Sequence, residues 1–490
     1  MPPPAPTRFR VALPPERLVP LIVATALFME NLDSTVLATS LPAIAADLGE
    51  NPIHLKLALT SYLLALAIFI PASGWLADRF GARTIFRLAM GVFALGSIGC
   101  GFSSDIASLV AARVLQGMGG AMMVPVGRLV VLRTIDRSQI VDALAWLTIP
   151  ALIGPIMGPP VGGFITTYLN WRWIFWINIP VAALGIVLAT IHIPDIREEV
   201  RTRFDTVGFL LVGPGLAASL TGATLAGLGL LPGYGVAALI IGGLLLLAIY
   251  VRHALKAESP LIDLRLLRLP TFRASVTGGF MFRVGVGATP FLLPLLLQAG
   301  LGFNAFQSGL TTFAAGVGAL VMKIVASPIL RRFGFRKVLV INAVISSIFV
   351  AAPGLFGPNT PMVLMTALLV IGGFLRSLEF TSINAVAYAD MPVEKLSRAT
   401  TFATVLQELS GSVGVSIAAL GLELASHTLG GEVLDRSHFP YVFALIGVIS
   451  MISAFIFWRL LPLGAGEALV ARPVAGGSPV AAKLGAADKP

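Results

Sequence analysis

The chain has 490 residues, of which 56% are hydrophobic and 12% charged, with a mean hydropathy of +0.90. Soluble domains carry about 25% charged residues, so this composition excludes a soluble globular enzyme and describes an integral membrane protein. The net charge of +10 does not point to nucleic acid, because the basic residues fall in short loops between apolar runs and build no basic domain. The one cysteine, Cys100, stands inside an apolar run, which excludes a disulfide framework or a cysteine metal site within the chain.

Arg8, Arg10 and Arg17 precede the first apolar run, as in the n-region of a signal peptide. The run continues past Glu30 and Asp33 and many others follow it, so it reads as an uncleaved first helix. A spanning helix needs about 20 mostly apolar residues. On that measure the chain offers fourteen spans: 18–40, 54–75, 84–103, 107–131, 140–166, 172–192, 206–228, 234–254, 272–299, 306–328, 337–356, 361–388, 400–425 and 438–462. Charge sets their orientation. With the N-terminus inside, the inner loops collect nearly all loop arginines and lysines, among them Arg79, Arg133, Arg197, Arg265 and Arg331. The outer loops keep only Lys56, Arg172 and Arg436. A miscount of one span would reverse this bias in the later loops, and no reversal occurs. Both termini are therefore expected in the cytoplasm, and the stretch from 464 to 490, rich in Ala, Gly and Pro, reads as a disordered cytoplasmic tail.

Between the second and third spans lies Gly74–Arg83 (GWLADRFGAR). Gly74 lets two helices approach closely, and Gly81 permits a tight turn. Asp78 puts a negative charge where the positive N-terminal end of another helix can meet it. Arg79 and Arg83 hold the loop inside. Ser327–Arg336 (SPILRRFGFR) repeats the ending R-F-G-x-R at an offset of 336 − 83 = 253 residues, with Arg331 in place of Asp78. Both copies follow the second span of a six-span group. The expected organisation is an N-terminal segment 1–17, a six-helix half 18–195, a two-helix insert with linkers 196–265, and a second six-helix half 266–463 before the tail. Transporters are often built from such repeats, with the substrate near the midplane at their interface.

Ionisable residues inside spans cost about 2.5–3.5 kcal/mol each at the bilayer centre on insertion scales and mark function by default. Glu30 and Asp33 lie one turn apart on the first span, on one face. Two carboxylates so placed suit a group that takes up and releases protons. Arg113 on the fourth span stays charged and needs a partner, for which Asp33 is the natural candidate. Gln116 follows one turn later. On the fifth span Gly154, Gly158 and Gly162 form one smooth stripe for close backbone packing, beside Gly163, and Pro155 and Pro159 bend the helix. The second half offers Arg283, Lys323, Arg376, Glu379, Gln407 and Glu408 as candidate cavity residues. Arg376 and Glu379, one turn apart, could simply pair.

The loop Gly74–Arg83 resembles the signature of the major facilitator superfamily. The segment NLDSTVLATSLP around Asp33, the run RVLQG at Arg113 and the Gly-Pro stretch from 154 to 163 resemble the fourteen-helix drug:proton antiporters of its EmrB/QacA branch. So do WRWIFWINIP (171–180) and Arg203, Phe204, Asp205 and Gly208 before the insert. The resemblance implies an all-α fold of 6+2+6 transmembrane helices in a bacterial inner membrane. It implies export by alternating access in exchange for protons, with Asp33, Glu30 and Arg113 in the proton-coupling site. Gly74, Asp78, Arg79, Gly81 and Arg83 would form the switch loop, and the Gly-Pro stretch an antiporter motif. It implies no cofactor and no ATP, and no Gly-rich loop with a Lys is present to hold one. A monomer working with a small molecule, protons and the bilayer is expected. Two cargoes stay open: a lipophilic cation drawn by Glu30, Asp33 and Glu408, or an anionic metabolite or chelate held by Arg113, Arg283 and Lys323. A receptor or scaffold on the same fold, moving nothing, is the reading from another class.

Overall fold

The computed structural model describes residues 15–135, 140–194, 204–227, 229–429 and 435–465. The expected tail therefore lies outside the described residues from 466 onward, as do Arg8, Arg10, Arg137, Arg197, Arg201 and Arg203. Every long element is a helix, which is how a chain satisfies its own backbone N–H and C=O groups in lipid. In order these are α1 (Pro15–Leu48), α2 (Lys56–Phe80), α3 (Ala82–Gly101), α4 (Ile106–Thr134), α5 (Ile140–Tyr168), the short α6 (Trp173–Trp176) and α7 (Asn178–His192). There follow α8 (Thr206–Leu225), α9 (Gly233–Lys256), α10 (Pro270–Leu295), α11 (Ala305–Phe333), α12 (Phe335–Ala351), α13 (Met362–Ala387), α14 (Leu396–Leu429) and α15 (Phe439–Leu460). Thirteen stretches among the described residues are long and apolar enough to cross a membrane, Trp173–His192 counting as one. The 29-residue α5 makes the fourteenth. Several helices outrun their apolar segments. Both α1 and α14 reach 34 residues, because a helix continues past the bilayer wherever its ends find caps or neighbours.

Local chemistry explains the ends. Asp105 caps α4 by accepting from the Ser108 N–H at 2.8 Å, and Asn304 and Gln307 form a reciprocal capping box at the start of α11. Asp205 caps α8 through the Gly208 N–H and also takes the His253 Nε2 at 2.7 Å, which ties α8 to α9. The repeated loop is a structural repeat as well. Gly81 (φ 91°) and Gly334 (φ 75°) both sit in the left-handed region that glycine tolerates. Each donates its N–H to the carbonyl four residues back, closing one helix before the next begins at once. Two residues further on, Arg83 donates to the Ile193 carbonyl and Arg336 to the Trp458 carbonyl. In each half the sixth span is thus pinned to the start of the third.

Close backbone contact sets the helix pairing. Gly158 and Gly162 of α5 face Thr35, Val36 and Thr39 of α1, and Gly154 faces Asn31. Across the molecule α5 meets α11, with Gly163 against Ala305 and Gly309 against Pro159 and Pro160. The α8–α9 pair lies outside, where α8 touches α2 and bonds Ser416 of α14 through Thr224 at 3.0 Å.

The two ends of the molecule differ. At the end away from the basic loops the halves are tied together. Gln298 donates to the Thr39 carbonyl at 2.9 Å, the Phe306 N–H donates to the Thr167 hydroxyl at 3.0 Å, and Phe306 stacks edge-on with Tyr168. The fully buried Lys56 of α2 also stands in electrostatic reach of Glu423 on α14. At the basic end, the Asp78–Arg133 pair and the Arg83 and Arg336 carbonyl bonds each stay within one half.

Candidate functional site

Two polar sites lie near the middle of the helices. The first is a buried cluster inside the N-terminal half, where α1, α4 and α7 converge. Asp33 is 3% exposed and Arg113 is fully buried. The Arg113 Nη1 donates to Asp33 Oδ2 at 2.6 Å and to Gln116 Oε1 at 2.5 Å. Gln116 Nε2 and Asn178 Nδ2 donate to Asp33 Oδ1 at 2.8 and 2.9 Å, and both also reach the Ser97 hydroxyl. Arg113 Nε is satisfied by the Ala58 carbonyl at 3.2 Å, and its guanidinium lies 4.1 Å from the Tyr62 ring centroid. Asp33 is therefore bonded by one cation and two amides.

Glu30 sits beside this cluster without joining it. Its Oε1 accepts from the Tyr62 hydroxyl at 3.4 Å, and no cation bonds it among the described residues. It lies in electrostatic reach of Asp33 on its own helix and of Glu408 across the interface on α14. Tyr62 thus links the cluster to Glu30, with its ring under Arg113 and its hydroxyl on Glu30. Asn178 and Tyr62 escaped the sequence reading, because neither is charged and each sits in an apolar run like any interfacial amide or aromatic. Asn178 follows the aromatic WRWIFW segment, and that placement was the available signal.

The second site is a cavity of about 620 Å³ between the halves, a size typical of pockets for drug-sized ligands. The N-terminal half supplies Asn31, Thr35 and Thr39 of α1 with Pro155, Ile156 and Pro159 of α5. The other half supplies α10 with Arg283, α11 with Lys323, α13 with Arg376 and Phe380, and α14 with Gln407. The fifth-span segment plays two parts: Gly154, Gly158 and Gly162 seat α5 on α1, and Pro155 and Pro159 face the cavity. Gly162→Leu is expected to drive a side chain into the Val36 carbonyl and the Thr39 hydroxyl. Overpacking of this kind costs about 1–3 kcal/mol, to be read as earlier thermal unfolding in detergent.

Several expected cavity residues lie elsewhere. Asp33 is two residues from Asn31, or about 200° around the helix, and so faces α4 and α7 rather than the cavity. Gln116 is consumed by the Asp33 cluster. Glu379 does not pair with Arg376; it is fully buried and accepts from Asn342 of α12 at 2.7 Å. Glu408 is off the cavity wall, one position from the lining Gln407. In the loop, Gly74 has open space around it, with nothing within 4 Å of a would-be Cβ, so it serves no close helix approach here. Asp78 meets Arg133 in the last turn of α4 at 2.7 Å instead of a helix N-terminus. Arg79 lies over Trp75, 5.5 Å from the ring centroid. Cys100 is buried, with its thiol toward Gln116.

Known proteins carry the same framework. The family model described as Major Facilitator Superfamily matches residues 23–415 and 275–487. The chain belongs to the major facilitator superfamily. A relative from Citrobacter koseri, named "Putative multidrug resistance protein MdtD", is 39% identical over 449 residues, covering 90% of this chain and 93% of its own. Its counterpart in Salmonella typhimurium is 39% identical over 448 residues, covering 90% and 94%. Among solved structures, a D-xylose-proton symporter superposes with a TM-score of 0.66 at 16% identity, over 92% of this chain and 98% of that one. An auto-inhibited peptide transporter of the POT family gives 0.65 at 16%, over 94% and 99%. These two likenesses show the shared fold.

Proposed function

We propose that this protein is a secondary transporter of a bacterial inner membrane that expels drug-like molecules in exchange for protons, working as a monomer without ATP. The cavity between two halves tied together at one end carries this reading. A site in that position can be exposed to either side by rocking one half against the other. The naming of the 39%-identical relatives as multidrug resistance proteins supports drugs as cargo. With the basic loops in the cytoplasm by the positive-inside rule, both termini lie inside and the tied end faces outward. The conformation is then inward-facing, ready to load from the cytoplasm.

The proton-coupling site on this reading is the Asp33–Arg113 cluster together with Glu30. Asp33 cannot gain a proton without weakening the Arg113 pair, whereas Glu30 can exchange one without breaking an ion pair. Tyr62 joins the two. Protonation changes the charge beside the interface, and that differential interaction is what lets a gradient shift the populations of the two states. The decisive experiment uses proteoliposomes holding a pH-sensitive dye, to which ethidium and other drugs are added. Proton movement that requires both drug and protein supports the exchange. Transport of drug with no proton movement removes the coupling, and no movement of either leaves a receptor or scaffold.

The Asp78–Arg133 pair belongs to the switch loop in this reading. Both partners are partly exposed, and such pairs contribute about 0–1 kcal/mol. Asp78→Asn is therefore expected to leave the melting temperature within about a degree or two, yet to lower turnover severalfold while drug binding is retained. Equal losses of binding and turnover would remove the loop from the switching step.

A further inference from the structure

The charges that face the cavity have one sign. Arg283, Lys323 and Arg376 line it, and no Asp or Glu does, among the described residues. The carboxylates nearby are turned away or engaged elsewhere: Asp33 with Arg113, Glu379 with Asn342, Glu30 with Tyr62. Arg283 is 9% exposed; it donates to the Asn384 side chain at 2.8 Å and feels Glu408 from behind the wall. Lys323 is exposed and donates to the Thr381 hydroxyl at 2.8 Å. Arg376 is half-buried, and neither it nor Lys323 is bonded to a carboxylate among the described residues. Three cations around one cavity repel one another, and the buried Arg283 has lost most of its hydration. A ligand with negative charge relieves both costs, and a cationic ligand adds to them. The rest of the wall is apolar, with Ile156, Leu293, Phe313, Leu320 and Phe380.

We infer that the cavity selects amphipathic organic anions, molecules with an aromatic or aliphatic body and a carboxylate, sulfonate or phosphate group. The anionic group lies among Arg283, Lys323 and Arg376, and the body lies against Phe380 and the α5 prolines. The arginines offer paired N–H donors that match such oxyanions, and Lys323 adds a point charge on the facing helix. This inference rests on the transporter reading for its biological sense, but the selectivity belongs to the cavity whether or not the protein moves its ligand.

The test uses two probes with one body and opposite fixed charge, 2-naphthalenesulfonate and 2-naphthyltrimethylammonium. Binding to the full chain in nanodiscs is measured by calorimetry, with empty nanodiscs subtracted. The sulfonate is expected to bind at least about tenfold more tightly than the ammonium compound, a difference of ~1.4 kcal/mol. Arg376→Gln and Lys323→Gln are each expected to lose most of that preference, and Arg376→Lys to recover part of it, which separates lost charge from lost folding. Equal binding of both probes, tighter binding of the cation, or binding of neither overturns the inference. Gradient-driven uptake of both probes into proteoliposomes is measured in parallel. A sulfonate that binds selectively but is never moved leaves the inference standing and refutes export. An ammonium compound that binds better and is exported refutes the inference and leaves export standing.

Discussion

Asp33→Asn is expected to destabilise the protein as well as to stop gradient-driven transport. The Arg113 guanidinium is fully buried and loses its carboxylate partner in the substitution. Breaking one side of a buried pair costs about 3–5 kcal/mol, because the other charge is left uncompensated. The geometry predicts a drop in melting temperature in detergent and a reduced yield. The double variant Asp33→Asn with Arg113→Gln removes both charges and is expected to recover most of the thermal stability. Gradient-driven transport should stay absent in the double variant if the pair serves coupling. A double variant that regains uphill transport would assign the pair to structure alone.

Glu30→Gln is expected to act in the opposite way, on coupling and not on stability. Gln keeps the length of the side chain and its amide oxygen can still accept from Tyr62, so the melting temperature should hold. A group that can no longer exchange a proton should lower gradient-driven transport at least about tenfold, or ~1.4 kcal/mol. Cargo binding should change little, since Glu30 does not line the cavity. Dependence of transport on external pH should flatten in the same variant, measured in proteoliposomes across a range of imposed gradients. Unchanged transport and an unchanged pH profile would move the proton site back to Asp33.

Much of the framework is legible in the chain itself. Apolar length marks the spans, because every membrane helix must cover about 30 Å of hydrocarbon. The second copy of R-F-G-x-R is legible as a repeat because Gly81 and Gly334 serve the same tight turn at the same place in each half. The stripe of Gly154, Gly158 and Gly162 reads directly as a packing face, and its partner proves to be α1. Asp33 and Arg113 could be matched as partners because a buried arginine needs a carboxylate and few are available inside the spans.

The cavity was not legible in the same way. The candidate ionisable residues singled out in the spans are Glu30, Asp33, Glu379 and Glu408 against Arg113, Arg283, Lys323 and Arg376, four of each sign, and that balance hides the result. Composition and periodicity determine which segments enter the membrane, where they turn and which residues are expensive to bury, since those costs are local. Which way each charge faces depends on the rotation of six helices about their axes and on the neighbours each side chain finds. Only the tertiary packing turned the acids toward Arg113, Asn342 and Tyr62 and left the cations on the wall.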